Sequence, residues 1–413
     1  MTADIVITNI GQLLTAQGDK AVGGARQNEL LTLNDAYIAV YDERIIAVGE
    51  GRAPEELMDE YTAEIDAKGR LVTAGLVDCH THLTFGGWRE DELKKKLLGV
   101  GYMDILKEGG GILSTVRSTR QMGEQEMFER AEGFLSEMLA HGTTSLEAKS
   151  GYGLDLDTEL KQLRVHRMLK EQTGIDIAST YLGAHAVPTS FLNNKEGYVS
   201  YICEVVLPEV AKEGLAEFCD VFCEQGVFDA ADARRILAEA KKFGLKAKLH
   251  SDEIHDIGGT AVAEEVGAVS ADHLTATTEE GIMRLKHSGT VATLLPCTSF
   301  YLNKSYADAR AFIAAEVPVA LGSDFNPGSS PNLNLQLAMN LGCLRLKMTP
   351  YEVLTAVTLN AAAAINMADR IGTIEVDKQA DLVIWDVMNL NELVYRYGTN
   401  RVDTVIKKGK VVV

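Results

Sequence analysis

Between residues 71 and 366 the chain repeats one pattern, a short β-rich apolar segment followed by a helical stretch. The β-rich segments fall at 71–77, 143–148, 176–184, 217–223, 245–249, 268–272, 290–295 and 317–323. The stretches between them carry helical periodicity. Over 232–244, Ala233, Ile236, Leu237 and Ala240 share one apolar face, Asp229 is placed to cap and Gly244 to stop the helix. TPYE (349–352) has the form of a capping box with proline at the first helical position. Strands alternating with helices argue for a parallel sheet with helices outside it. Eight such repeats argue for a closed (β/α)8 barrel of the TIM type. An open doubly wound sheet is the alternative. The GGG at 109–111 lends it little, because no GK[ST] follows and no strand leads into it.

The two ends read differently. DIVITNI, AYIAVYDERIIAVG, LVIWDV and DTVIKKGKVVV alternate apolar and polar residues between turn signals. This predicts a small β-sandwich domain built from both chain ends, residues 1–70 and 367–413, flanking a barrel over 71–366.

In a TIM-type barrel chemistry sits at the C-terminal ends of the strands, and the reactive residues of this chain fall there. VDCHTHLTFGG (77–87) places His80 and His82 two apart after the first strand, so both imidazoles face the same way. Lys149 ends the second strand, ahead of Tyr152. His185 ends the third, His250 with Glu253 the fifth, His273 the sixth, and Asp324 with Asn326 the eighth. Five of the nine histidines thus lie at strand ends on one side. His80, His82, His250 and Asp324 make a nitrogen-rich set with one carboxylate, which suits zinc, with iron or manganese as further candidates. The glycines at 86 and 87 are expected to let the backbone turn and approach a ligand. Lys149 is expected to be ion-paired or solvated rather than metal-bridging, and His141, His166, His255 and His287 to be structural. Strict alternation in LKAKLH would turn Lys246 and Lys248 to the same face as His250, which has no physical account unless a bulge shifts the register.

A formal charge of −19 argues against nucleic acid, which needs a basic footprint, and against an anionic membrane surface. It leaves room for an anionic small substrate received by a local cation. No apolar run has membrane-spanning length, and the start MTADIVITNIGQ lacks the features of a leader. The six cysteines have no framework spacing, and Cys219 and Cys223 read as small hydrophobes in a strand. A cytoplasmic protein, forming a homodimer, is the expectation.

An HxH after strand one, histidines after strands five and six, and an aspartate after strand eight resemble the amidohydrolase superfamily over essentially the whole chain. VDCHTHLTFGGWRE, GGGILSTVRSTR, EAKSGYGLD, YLGAHAVP, HSDE and GSDFNPGSSPN are similar to the branch that opens the imidazolone ring in histidine degradation. The resemblance implies one zinc or iron ion on His80, His82, His250 and Asp324, and hydrolysis of the ring amide of 4-imidazolone-5-propanoate to N-formimidoyl-L-glutamate. It implies substrate contacts from Arg89, Tyr152, His185, Glu253, Asn326, Gly328 and Ser329. The roles it implies are Asp324 as base, His273 on the developing oxyanion, Glu253 at a ring nitrogen, and Arg89 beside Tyr152 for the propanoate. Trp88 stands where the family pattern has a small or polar residue. Members with two metals use a modified lysine from strand four, and strand four here ends in Cys223–Glu224, so one metal is expected. A ring deaminase would use nearly the same ligands but release ammonia. A non-catalytic scaffold would have eroded ligands, and all four positions here are filled.

Overall fold

The computed structural model describes residues 2–100 and 109–413. Eight parallel strands form one sheet in sequence order: β1 (Leu76–Asp78), β2 (Thr143–Lys149), β3 (Asp176–Ala184), β4 (Phe218–Cys223), β5 (Lys246–Ser251), β6 (Ser270–His273), β7 (Val291–Leu294) and β8 (Val319–Leu321). Nearly every residue in them is buried. Strands covered on both faces read as apolar runs rather than as alternation, and that is why they stood out in the sequence. The sheet closes where β8 meets the chain after β1. Asp324 N donates to His80 O at 3.0 Å and His82 N to Phe325 O at 2.8 Å, around a parallel bridge between Thr81 and Phe325. Closure of the barrel and the spacing of three candidate ligands are therefore set by the same backbone hydrogen bonds.

Both chain ends meet in a second, mixed sheet. Its order is Lys410–Val411, Val402–Lys407, Leu382–Trp385, Leu71–Ala74, Ile5–Thr15, Leu31–Tyr41, Arg44–Glu50, with Ala63–Asp66 also paired to Ile5–Thr15. The segment expected as one strand over 71–77 is two. Leu71–Ala74 pairs with Ile5–Thr15 and Leu382–Trp385, and only Leu76–Asp78 enters the barrel. The switch takes one residue, with Gly75 N bonded to Asp381 O at 2.9 Å and Leu76 N to Gly142 O at 2.9 Å. Both halves are fully buried, so hydropathy alone carries no trace of the change of sheet. Lys407 locks the two sheets together, its ammonium reaching Asp176 of β3 at 2.5 Å and Asp381 at 2.7 Å out of water.

The helix expected over 232–244 runs Ala230–Lys242, with Asp229 and Asp232 closing a capping box and the four anticipated apolar residues buried. Thr349 and Glu352 do the same for Pro350–Ala356. Among the described residues no helix is long and apolar enough to cross a membrane.

The role expected of Gly86 is corrected. Its φ is not positive, and it faces the helix Ile112–Gln121 rather than a ligand. A Cβ there would lie 2.4 Å from backbone atoms of Ser118 and Thr119, and Gly86 N donates to Thr119 Oγ1 at 2.9 Å. Gly86→Ala must push a helix backbone, and overpacking of this kind costs about 1–3 kcal/mol. Its thermal midpoint is expected to fall. Gly133→Ala is the control, on an exposed helical position with open space around it, where helix propensity should raise the midpoint.

Candidate active site

Barrel closure brings His80, His82 and Asp324 together, with Nε2 of each histidine 3.5 Å from Asp324 Oδ1. β5 delivers His250, whose ring centroid is 4.6 Å from that of His80 and 5.5 Å from that of His82. β6 delivers His273, 5.5 Å from His80 and 5.2 Å from His250 by ring centroids. Ligand atoms of His80, His82 and Asp324 lie within 4.8 Å of one another, as do those of His80, His250 and His273.

The donor atoms fit a divalent cation. His80 Nε2, His250 Nε2 and His82 Nδ1 are buried without hydrogen-bond partners. Buried polar atoms are normally satisfied, and a cation between these rings would satisfy the first two and Asp324 at once. Nδ1 of His80 is bonded to Asp272 at 2.6 Å and Nδ1 of His250 to Asp220 at 2.9 Å. Carboxylates accept only, so the proton sits on Nδ1 and the Nε2 lone pair faces the site. Burial, followed by the Lys149 ammonium and the neighbouring imidazoles, holds His80 well below the usual histidine range. Burial also lowers His250 against the pull of Asp220. Neutral imidazole is the ligating form. Burial alone would raise Asp324, but His82, His273 and Thr298 outweigh it and hold the carboxyl well below its ordinary range. Thr298 Oγ1 donates to its other oxygen at 2.5 Å.

Three of the fifteen non-glycine residues at positive φ among the described residues lie at this site. Asp252, His273 and Asp324 have φ of 51°, 78° and 51°. Non-glycine residues held there cost on the order of 1–3 kcal/mol each and cluster at functional sites.

The residues expected to contact substrate surround this centre. His185 stacks on His82 (5.0 Å, 18° between planes), and Tyr152 lies 5.3 Å from His185 and 5.8 Å from His82. Glu253 Oε2 is 3.8 Å from His273 Nε2. Asn326 organises the loop after β8: its Oδ1 accepts from the N–H of Gly328 and of Ser329, both at 2.8 Å, and its Nδ2 donates to Asp324 O at 2.7 Å and to Ser329 Oγ at 2.8 Å. Arg89 lies on Gly328 so closely that a Cβ at that glycine would sit 1.2 Å from its Nη2. Its Nε is buried with no hydrogen-bond partner. Trp88 is seated against Phe85 (4.9 Å) and Phe134 (5.5 Å), which fixes the start of the Arg89 loop.

The lysines of LKAKLH separate without a bulge, since β5 keeps one register against β4 throughout. Lys246 is exposed at the start of the strand, whereas Lys248 is wholly buried with Glu147 Oε2 at 2.9 Å. Lys149 is ion-paired as expected, to Glu147 and Asp220, each at 2.8 Å. Sequence spacing does not single out Glu147, Asp220, Asp272 or Thr298. The signal for the first three is polar residues at period two inside otherwise apolar strands, as in Glu147 and Lys149, or Lys248 and His250. Nothing in the sequence marks Thr298. Of the other histidines, His166 is a core residue between Thr84 and Ser179, and His255 pairs with Glu224.

A parallel barrel, a companion sheet and this constellation define a class. Residues 71–412 match the amidohydrolase family, and the chain belongs to it. Imidazolonepropionases are among its full-length relatives. That of Alkaliphilus metalliredigens is 47% identical over 416 residues, covering 100% of this chain and 99% of the relative. That of Caldanaerobacter subterraneus subsp. tengcongensis is 48% identical over 414 residues, with the same coverage. Among solved structures, an adenosine deaminase from Xanthomonas campestris with bound zinc shares the fold at a TM-score of 0.73 and 21% identity, over 99% of this chain and 93% of that one.

Proposed function

We propose that the chain hydrolyses the ring amide of 4-imidazolone-5-propanoate to N-formimidoyl-L-glutamate, with one zinc or iron ion held by His80, His82, His250 and Asp324. The observation that carries the reading is the set of His80, His82, His250 and Asp324 at the barrel mouth, with Nε2 of His80 and of His82 each 3.5 Å from Asp324 Oδ1 and Nε2 of His80 and of His250 buried without partners, while Arg89 lies against Gly328 of the loop after β8. The names of the full-length relatives support the substrate. A cation bound there would acidify a water and polarise a carbonyl. Asp324, steadied by Thr298, takes the water's proton. His273 donates to the carbonyl oxygen as negative charge builds on it, where a preorganised donor counts most. Glu253 contacts a ring nitrogen and assists delivery of the proton held by Asp324 to the leaving nitrogen as the ring C–N bond breaks. Tyr152 and His185 wall the ring, and the loop ordered by Asn326, with Gly328 and Ser329, closes the side where Arg89 lies. The enzyme is taken to be a cytoplasmic homodimer, with an anionic small-molecule substrate and neither nucleic acid nor membrane as partner. The test is turnover of imidazolonepropanoate, followed by its loss of absorbance, with metal measured on the same sample. Disappearance of the substrate without ammonia supports the reading. Ammonia release, or no turnover by metal-replete protein, overturns it.

Arg89 is assigned to the propanoate because a planar guanidinium matches a carboxylate in two hydrogen bonds. The chain as a whole repels anions, with 59 acidic against 40 basic residues, so binding needs a local cation. Truncating one partner of a buried charge pair costs about 2–5 kcal/mol. Arg89→Ala should therefore lower kcat/KM for imidazolonepropanoate more than roughly tenfold with metal content unchanged. Arg89→Lys should recover part of the loss. Parent-like turnover by Arg89→Ala would remove Arg89 from the carboxylate site.

A further inference from the structure

The layered interior of a TIM-type barrel is ordinarily filled by branched apolar side chains. Beneath His80 and His250 this barrel instead holds Glu147, Lys149, Asp220, Lys248 and Asp272, all with 0% exposure. Glu147 joins the two lysines, Oε1 to Lys149 at 2.8 Å and Oε2 to Lys248 at 2.9 Å. Lys149 also reaches Asp220 at 2.8 Å and lies 3.8 Å from Asp272, and Lys248 lies 3.9 Å from Asp272. Asp220 bonds His250 twice, through Nδ1 at 2.9 Å and the backbone N–H at 3.0 Å. Asp272 accepts from Ser270 Oγ at 2.6 Å and bonds His80 Nδ1 at 2.6 Å. Lys248 further donates to Cys79 O at 3.1 Å, the residue just before His80.

A buried ion network is a poor way to gain stability. Well-packed apolar residues of similar volume serve folding as well or better, because taking charges out of water is costly. The arrangement has a different use. Ammonium groups only donate, so each carboxylate that faces one is held as an acceptor toward its other neighbour. Asp220 and Asp272 each have an imidazole Nδ1 on that other side. With the Nδ1 proton fixed by a carboxylate, Nε2 must present its lone pair to the mouth.

We infer that Lys149 and Lys248, acting through Glu147, Asp220 and Asp272, are positioning residues for the cation. They lock His80 and His250 in the Nδ1-protonated form and aim both Nε2 atoms at one point. Two carboxylates alone could orient the rings, and the lysines fix where those carboxylates stand: Lys149 is hydrogen-bonded to Asp220 and lies 3.8 Å from Asp272, and Lys248 lies 3.9 Å from Asp272. The inference rests on the metal reading above and adds to it the residues that prepare the ligands.

The test uses full-length protein with selectively 15N-labelled histidine, in metal-stripped and metal-loaded forms. Long-range proton–nitrogen spectra report which ring nitrogen carries the proton. Metal affinity is measured separately, by competition with a chromogenic chelator. In the stripped parent, His80 and His250 should both show the Nδ1-protonated pattern. Asp220→Asn keeps the shape but offers an amide donor to Nδ1, so His250 alone should change to the Nε2-protonated form. Lys248→Met should disturb His80 through Asp272 and leave His250 as in the parent. Both variants should bind zinc 10- to 100-fold more weakly, the range for loss of groups that orient metal ligands. Should Lys248→Met fail to fold, Glu147→Gln takes its place, with the same loss of affinity expected. Parent tautomers with parent affinity in these variants would overturn the inference and leave the network as packing. Failure of the parent to turn over imidazolonepropanoate would overturn the proposed reaction instead, while the tautomer and affinity results would stand.

Discussion

His80→Ala is expected to emerge from purification without its divalent metal and without measurable turnover. His80 is the hub of the mouth. Its Nε2 shares Asp324 Oδ1 with His82, and its ring lies 4.6 Å from His250 and 5.5 Å from His273. It also belongs to both groupings of mouth residues whose ligand atoms fall within 4.8 Å. Removing it takes one nitrogen from a small ligand set and leaves Asp272 without its imidazole partner. The barrel should survive, because the strands are joined there by backbone bonds from Asp324 N to His80 O and from His82 N to Phe325 O, which alanine keeps. Metal analysis, circular dichroism and turnover on one preparation decide the matter. His82→Ala and His250→Ala should give the same loss of metal. Full metal occupancy in a folded His80→Ala enzyme would refute the ligand assignment.

Much of this site can be read along the chain because strand ends in a parallel barrel all deliver their side chains to one mouth. Period and strand edge were enough to bring His80, His82, His250, His273 and Asp324 to a single place. What lies beneath them was less legible. Lys248 and Glu147 stand 101 positions apart, and their pairing depends on strands β2 and β5 facing one another across the barrel. No local pattern encodes that contact. The same limit hid the change of sheet at Gly75, where two buried apolar strands run together, and the partner of Gly86, a helix backbone more than thirty residues away. Local chemistry is visible in a sequence. A contact that needs two distant elements to be placed first is visible only once the fold is known.

His273→Ala should keep its metal and lose most of kcat, and this outcome separates the two uses open to a mouth histidine. His273 lies within ligand distance of His80 and His250, so proximity alone would admit it as a ligand. Its second neighbour argues for a role toward substrate: Glu253 Oε2 is 3.8 Å from Nε2, on the residue assigned to the ring nitrogen. Among the described residues no carboxylate is hydrogen-bonded to the His273 ring in the way that Asp272 holds His80 and Asp220 holds His250. Loss of one donor to a developing oxyanion costs about 10²–10³ in kcat. Because that contact forms in the transition state, kcat and kcat/KM should fall together with KM little changed. The backbone complicates the alanine variant, since φ at this position is 78° and alanine tolerates the left-handed region poorly. His273→Asn avoids the difficulty, because asparagine enters that region readily, and it should show the same retained metal and the same fall in kcat. Metal-free His273→Asn enzyme would make His273 a ligand and require the set of His80, His82, His250 and Asp324 to be redrawn around it.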